Sequence, residues 1–398
     1  MIFHSSRIVT EQGTFDGYLV TEGQKITDIV RKEVEQMKAD VDFGDLTVIP
    51  GIVDTHNHGY MGWDPSSATG TEMILGYCRA LASAAVTRIF PTVVEGDVFK
   101  IIYQAAQKNE DGARIMGIHS EGPYLNRVGE KGVDTGHPDI NLDDIQKVID
   151  DAGGMLKLMA LAPELPGSKE AIRLLNKQGV RVAFAHSNDT YEEAMEAFKN
   201  GISVVTHTAN VMSGLHHRNM GGLGAAILND DVFNELICDG LHVRNEMIDI
   251  ILRVKRNAFE KVMMISDNTY FGGFPSGHYQ SNYMGGGIVT ISEEGFCLTD
   301  TGRLAGSAKP VLYGMRNLVK NLHLPLEAVC KMASLNPCKV YGFADRKGSL
   351  VIGKDADFAV IDDDFNCHFT YREGKKVFDR SAGADLLNQE CLAQTRVD

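Results

Sequence analysis

Two histidines separated by a single residue, His56 and His58, stand in the run Asp54-Thr55-His56-Asn57-His58-Gly59. Residues two apart on a strand point to the same face, so both imidazoles can converge on one ion. Four further runs carry groups of the same chemical kind. His119-Ser120-Glu121-Gly122-Pro123 leaves Glu121 where Gly-Pro stops a strand. Ala185-His186-Ser187 and Thr206-His207-Thr208 each place a histidine after apolar residues, and Ile265-Ser266-Asp267-Asn268 ends on a carboxylate. Taken singly, each has an ordinary reading: a solvated glutamate, or a histidine that only hydrogen-bonds. Taken together they form a set of imidazole and carboxylate donors that suits zinc, iron or manganese, and nothing in the sequence chooses between these metals. A cation held by such groups lowers the pKa of water. A neighbouring carboxylate can then take the water's proton and return it to a leaving group, and Asp267 is placed for that task. No Gly-x-Ser-x-Gly elbow or Walker phosphate loop offers a rival chemistry.

For these residues to meet, the chain must bring five distant segments to one place. Eight short runs rich in β-branched and apolar residues supply the elements: Val48–His56, Thr87–Val93, Arg114–Glu121, Met155–Glu164, Arg181–Ser187, Ser203–Thr208, Asn234–Gly240 and Val262–Asn268. Most are near-continuously apolar, as strands buried on both faces are. Amphipathic stretches fill the gaps, among them Thr71–Ala85, Val98–Asn109, Lys169–Gln178, Tyr191–Asn200 and Glu246–Arg256. This alternation predicts a parallel sheet with helices outside, closed into a (β/α)₈ barrel. The candidate residues end strands one, three, five, six and eight, and in a barrel those ends surround the mouth where active sites lie. Cys238-Asp239-Gly240-Leu241-His242 follows strand seven. Both chain ends read as short alternating strands broken by glycine. We therefore expect residues 1–49 and 350–385 to form a small β-sandwich domain beside a barrel of residues 50–349. The stretch Tyr270–Gly287 is either a flap over the pocket or a long surface loop.

The bulk properties set bounds. A chain of 398 residues with 43% hydrophobic and 23% charged residues has the make-up of a globular protein with a large core. A net charge of −14 argues against nucleic acid as the main partner. No basic and apolar leader precedes the first strand, and no apolar run has the length of a membrane span, so the expectation is a cytoplasmic protein. Seven scattered cysteines without a Cys-x-x-Cys pair fit reduced, buried side chains.

Longer blocks carry a resemblance. Pro50-Gly51-Ile52-Val53-Asp54-Thr55-His56-Asn57-His58-Gly59, His119 through Asn126, Thr206-His207 through Asn210, Met212 to Arg218, Asp239-Gly240-Leu241-His242-Val243, Ser266-Asp267, Leu304-Ala305-Gly306-Ser307 and Gly353-Lys354-Asp355-Ala356-Asp357 are similar to the amidohydrolase superfamily. More narrowly, they resemble the N-acetylglucosamine-6-phosphate deacetylases. The resemblance implies that Glu121, His186 and His207 bind the main metal and that His56 and His58 match members carrying a second ion, giving one or two divalent ions per subunit. It implies Asp267 as general base and then acid, and His242 as the group that polarises the acetyl carbonyl. Substrate binding falls to Asn210, His217 and Arg218, with the arginine reaching the neighbouring subunit's site in a homodimer. The substrate it implies is a phosphorylated amino sugar.

This chain departs from the family at Thr208-Ala209-Asn210-Val211-Met212, at Asn219-Met220-Gly221-Gly222, at Val133-Asp134 and after Asp267. All four departures touch the sugar pocket rather than the metal donors. Rival readings stay open: N-acetylgalactosamine 6-phosphate, an unphosphorylated acyl amine or a cyclic amide as substrate, or a barrel without catalysis that serves as a binding module.

Overall fold

The structure is a computed structural model that describes residues 1–94, 96–126, 137–281 and 286–397. Its centre is a run of eight parallel strands: Ile52–Asn57, Val86–Val93, Ile118–Glu121, Leu156–Leu161, Arg181–Phe184, Val204–Val205, Phe233–Ile237 and Val262–Ile265. Each pairs with the next in parallel register. The last strand returns to the first: the Asp267 amide donates to the His56 carbonyl at 2.9 Å and the His58 amide to the Asn268 carbonyl at 2.7 Å. The seam that closes the barrel thus runs through the candidate site.

A helix follows each strand, at Thr71–Ala82, Val98–Lys108, Leu142–Asp151, Ser168–Lys177, Tyr191–Lys199, Gly221–Leu228, Asn245–Val254 and Val311–Lys320. Local chemistry fixes their starts. Thr190 and Glu193 form a reciprocal capping box at the fifth, and the Asn141 side chain accepts the Asp143 amide at the third. The helices lay an apolar face on the outside of the strands, where Ile74, Leu81, Phe99, Ile102, Ile172, Leu175, Ile248 and Ile251 are buried. Inside the barrel, Leu158, Ala160, Ala183, Ala185, Val204, Met263 and Val340 form a second cluster, with Tyr341 packed against it. Small side chains on strands four and five leave room for the imidazoles above them.

The first apolar run of the sequence serves two sheets. Thr47–Pro50 belongs to the outer sheet, and Ile52–Asn57 begins the barrel. Gly51 is the crossing point, since a Cβ there would lie 2.3 Å from the Thr87 side chain. In the outer sheet the order is Lys375–Asp379, Cys367–Arg372, Phe358–Ile361, Thr47–Pro50, Ile2–Thr10, Gly13–Glu22, Lys25–Arg31, with Val41–Asp42 beside Ile2–Thr10. The two chain ends join where Phe358–Ile361 pairs antiparallel with Thr47–Pro50. Phe3 and Tyr371 lie three strands apart, roughly 14 Å across a flat sheet, yet their ring centroids are 5.1 Å apart. The sheet therefore curls over its own core of Phe3, Phe43, Phe358 and Tyr371. A third sheet, Gly277–Ser281, Gly287–Ile291 and Cys297–Thr299, is inserted between barrel strand eight and its helix. Within Tyr270–Gly287, residues 277–281 are thus a strand rather than irregular loop, and residues 282–285 lie outside the described residues.

A buried ion cluster welds barrel to outer sheet. Arg88, on barrel strand two and 1% exposed, bonds both oxygens of Asp357 at 2.7–3.0 Å and Glu373 at 2.9 Å. Lys347 adds a second cation to the same carboxylates. Truncating Arg88 strips charge from a dry pair, which typically costs about 3–5 kcal/mol. We expect Arg88→Ala to lose that much in urea unfolding followed by circular dichroism. A loss below about 1 kcal/mol, the scale of an exposed pair, would mean the cluster is not a structural weld.

Candidate active site at the mouth of the barrel

The strand ends deliver the candidate residues with a regularity that the sequence only hinted at. Glu121 is the last residue of strand three, while His186, His207 and Asp267 each sit two residues beyond the end of strands five, six and eight. All three of the latter adopt left-handed backbone, with φ of 48°, 30° and 51°. Such a conformation costs an L residue on the order of 1–3 kcal/mol and persists only where the surroundings impose it. It turns each strand end so that its side chain faces the barrel axis. His56 lies within strand one, and His58 follows it on the same face.

The resulting geometry is centred on Glu121. Its Oε2 lies 2.9 Å from His58 Nε2 and 3.5 Å from His56 Nε2. Its Oε1 lies 3.3 Å from His186 Nε2 and 3.1 Å from His207 Nε2. The four imidazoles thus turn the same atom inward, and one carboxylate stands between two histidine pairs. Asp267 Oδ1 lies 3.3 Å from His56 Nε2 and 3.4 Å from His58 Nε2. Two donor sets follow: His56, His58 and Glu121, then Glu121, His186 and His207.

Electrostatics favour a cation here. Burial works against charge on the His56 and His58 rings, yet the carboxylates of Glu121 and Asp267 carry both up to about 10. Burial likewise opposes charge on Asp267 and Glu121, yet the surrounding imidazoles hold Asp267 at about 2 and Glu121 well below the usual carboxylate range. A field that holds protons on two buried imidazoles is one that a divalent ion satisfies, and the nitrogen and oxygen donors match zinc, iron or manganese. These clusters form one or two divalent-metal sites.

Around the donors lies a supporting network. Asp54 is fully buried, and its desolvation holds it at about 6 despite hydrogen bonds from Ser266 and Asn57. Asn57 also bonds Ser266 Oγ at 2.9 Å and accepts the Tyr77 hydroxyl at 2.7 Å. Together these groups tie strand one to strand eight one residue before Asp267. His242 is buried, with Nδ1 2.8 Å from Asp239 Oδ2, and Asp239 Oδ1 also accepts the amides of Leu241 and His242. Burial would lower the His242 pKa, but the bond to Asp239 and the charges of Asp239 and Asp267 outweigh it and leave it raised. Its Nε2 is buried, and the Gly306 backbone beside the ring also favours the protonated form.

The residues assigned to substrate are arranged more loosely. Asn210 is half-buried, and its side chain bonds the His207 carbonyl at 3.1 Å, which places it beside a metal donor. His217 and Arg218 lie exposed on the following loop, whose base is the His216–Asn219 bridge. No described contact joins them to the donor cluster. Val133 and Asp134 lie outside the described residues. Sequence reasoning gave no role to Asp54, Thr92 or Glu235. The available signal for Glu235 was a carboxylate inside the apolar run Phe233–Ile237.

A barrel with histidines and carboxylates converging at its mouth defines a metal-dependent hydrolase. Comparison with known proteins agrees: residues 47–380 match the amidohydrolase family. The chain is 32% identical over 395 residues to an N-acetylglucosamine-6-phosphate deacetylase of Vibrio furnissii, covering 96% of this chain and 92% of that one. It is 30% identical to an N-acetylgalactosamine-6-phosphate deacetylase of Escherichia coli O157:H7, covering 94% and 98%. Among solved structures, the N-acetyl-D-glucosamine-6-phosphate deacetylase of Mycobacterium smegmatis superposes with a TM-score of 0.85 at 26% identity, covering 95% and 100% of the two chains. The chain belongs to the amidohydrolase superfamily and, within it, to the N-acetylglucosamine-6-phosphate deacetylase family.

The shared carboxylate makes a sharp prediction. Glu121→Gln is expected to lose metal from both donor sets, and His58→Ala from one only. Metal analysis of the dialysed proteins checks this. Two full equivalents retained by Glu121→Gln would show that Glu121 does not bridge the sets.

Proposed function

We propose that this protein hydrolyses the N-acetyl amide of N-acetylglucosamine 6-phosphate, giving glucosamine 6-phosphate and acetate. The observation that carries the reading is the donor cluster around Glu121 with Asp267 against its edge. The substrate is supported by the relatives' activities and by a Mycobacterium smegmatis structure in complex with N-acetyl-D-glucosamine-6-phosphate, which superposes with a TM-score of 0.84 at 26% identity. A divalent cation bound in the donor sets supplies acidified water and polarises a carbonyl.

The chain's own groups do the rest. Asp267, kept ionised, accepts the proton of the attacking water. The same carboxyl then delivers that proton to the leaving nitrogen, so one residue serves as base and acid in turn. His242, whose pKa is raised beside Asp239 and Asp267, acts with both ring nitrogens protonated: Nδ1–H donates to Asp239 and Nε2–H is offered to the acetyl oxygen. Asn210, His217 and Arg218 bind the sugar phosphate. A planar guanidinium bonds two phosphate oxygens at once. The Arg218 side chain is exposed, which suits our further proposal that it reaches the site of a second subunit in a homodimer. We place the enzyme in the cytoplasm, where phosphorylated sugars are retained.

The 30% identity to the N-acetylgalactosamine-6-phosphate deacetylase keeps the galactose epimer as a second reading. Acetate release from N-acetylglucosamine, its 6-phosphate and the galactose epimer of that phosphate, with zinc, iron(II) or manganese added, separates them. Fast release only from N-acetylglucosamine 6-phosphate is expected. Release from neither phosphate, with metal bound, would refute the proposed activity. Asp267→Asn is expected to lower kcat by about 10²–10⁴-fold with metal content unchanged, and a parallel loss of metal would recast Asp267 as a ligand. Arg218→Ala removes a charged hydrogen-bonding group, so KM for the phosphorylated sugar should rise about 10- to 100-fold with kcat little altered. An unchanged KM would remove Arg218 from the phosphate site.

A further inference from the structure

Glu235 is a fully buried carboxylate in the middle of barrel strand seven, pointing into the barrel beneath the donor cluster. Its Oε1 accepts the Thr55 hydroxyl at 3.0 Å. Its Oε2 has no hydrogen-bond partner and lies 3.6 Å from His56 Nδ1, which is itself buried and unpartnered. Two unsatisfied atoms of complementary type therefore face each other in a dry interior, where leaving either one alone is costly. His56 turns its other nitrogen, Nε2, toward Glu121 and Asp267. On the remaining side, the His119 ring stands edge-on against His56 at 4.5 Å between centroids and 88° between planes. His119 is in turn held by Thr92 Oγ1, 3.3 Å from its Nδ1.

We infer that Glu235 is a positioning residue: it takes the Nδ1–H of His56, fixes that tautomer, and so presents the Nε2 lone pair to an ion in the His56–His58–Glu121 set. A histidine with a free choice of tautomer places its proton on Nε2 part of the time, and in that form it cannot ligate. A carboxylate behind Nδ1 removes the choice and makes the opposite nitrogen a stronger donor. His119 supplies the wall that keeps the ring in the plane joining Glu235 to the ion. Glu235 faces only one of the four imidazoles, so its effect belongs to one donor set. The inference rests on the donor sets described above and not on the identity of the substrate.

The test reads metal binding without substrate. Zinc is titrated into the metal-stripped protein against a chromophoric chelator, for the parent, Glu235→Gln, Glu235→Leu and His58→Ala. The parent is expected to show two binding steps, and His58→Ala identifies the one that belongs to the first set. In Glu235→Gln, which preserves the shape of the side chain, that step is expected to weaken about 10-fold, and in Glu235→Leu up to about 100-fold, while the other step stays as in the parent. An unchanged first step in Glu235→Gln would overturn the inference, as would equal weakening of both steps. Glu235→Gln decides the matter if Glu235→Leu does not fold. A parent that binds no ion at the His58-dependent step would remove the donor set and the inference with it. Acetate release is recorded separately, so an inactive parent with two intact binding steps would count against the proposed substrate and not against Glu235.

Discussion

Glu121 carries a carboxylate into a nearly dry cavity and must divide it between four imidazoles, two at each oxygen. A buried charge of this kind is tolerated only when its surroundings are arranged for it. Each histidine has therefore to arrive at its own place, from strands one, five and six, with Nε2 leading. Strand length, backbone handedness and small interior residues all follow from that need. Strand six is only two residues long, because the chain must leave extended geometry before His207. Ala160 and Ala183, towards the C-terminal ends of strands four and five, keep the interior below the rings open, because bulkier side chains there would fill the space the rings occupy.

The same demand explains why the barrel closes where it does. Strands one and eight carry groups from both sides of the proposed chemistry, the ligands His56 and His58 and the carboxylate Asp267. They share the direct backbone bonds at the seam and the Asp54, Asn57 and Ser266 network just below it. A proton-transfer group loses efficiency steeply when displaced by an ångström. Joining it to the ligands by a two-bond backbone seam and a buried polar cluster fixes their separation more firmly than any loop could. Asp239 and His242 repeat the device in miniature: one carboxylate binds two amides and a ring nitrogen within four residues.

The outer sheet stands apart from the chemistry but not from the fold. Thr47–Pro50 continues straight into strand one, so any movement of the outer sheet is passed to the strand that carries His56. The Arg88, Asp357, Glu373 and Lys347 cluster resists such movement, since sliding the sheet would expose paired charges to one another's absence.

Which residues would gather was legible in the sequence, because period and position carry it. Near-continuous apolar runs separated by amphipathic stretches specify a parallel barrel, and polar residues ending those runs fall at one mouth by topology alone. His56, His58, Glu121, His186, His207 and Asp267 were found on that ground, and the structure brings all six together. What lay beyond the sequence depends on distances across the barrel. That Glu121 gives one oxygen to each histidine pair, that Glu235 faces His56 Nδ1, and that Asp54 bonds Ser266 are contacts between residues 63 to 212 positions apart. No local pattern encodes such separations. The three-stranded insertion escaped for another reason: its strands are only three to five residues long, and runs that short do not carry a period long enough to set them apart from loop. The kinds of donor, and the ring of strand ends on which they stand, follow from residue type and period alone. Only the closed barrel, by setting the angle between strands, decided which atoms would share a charge.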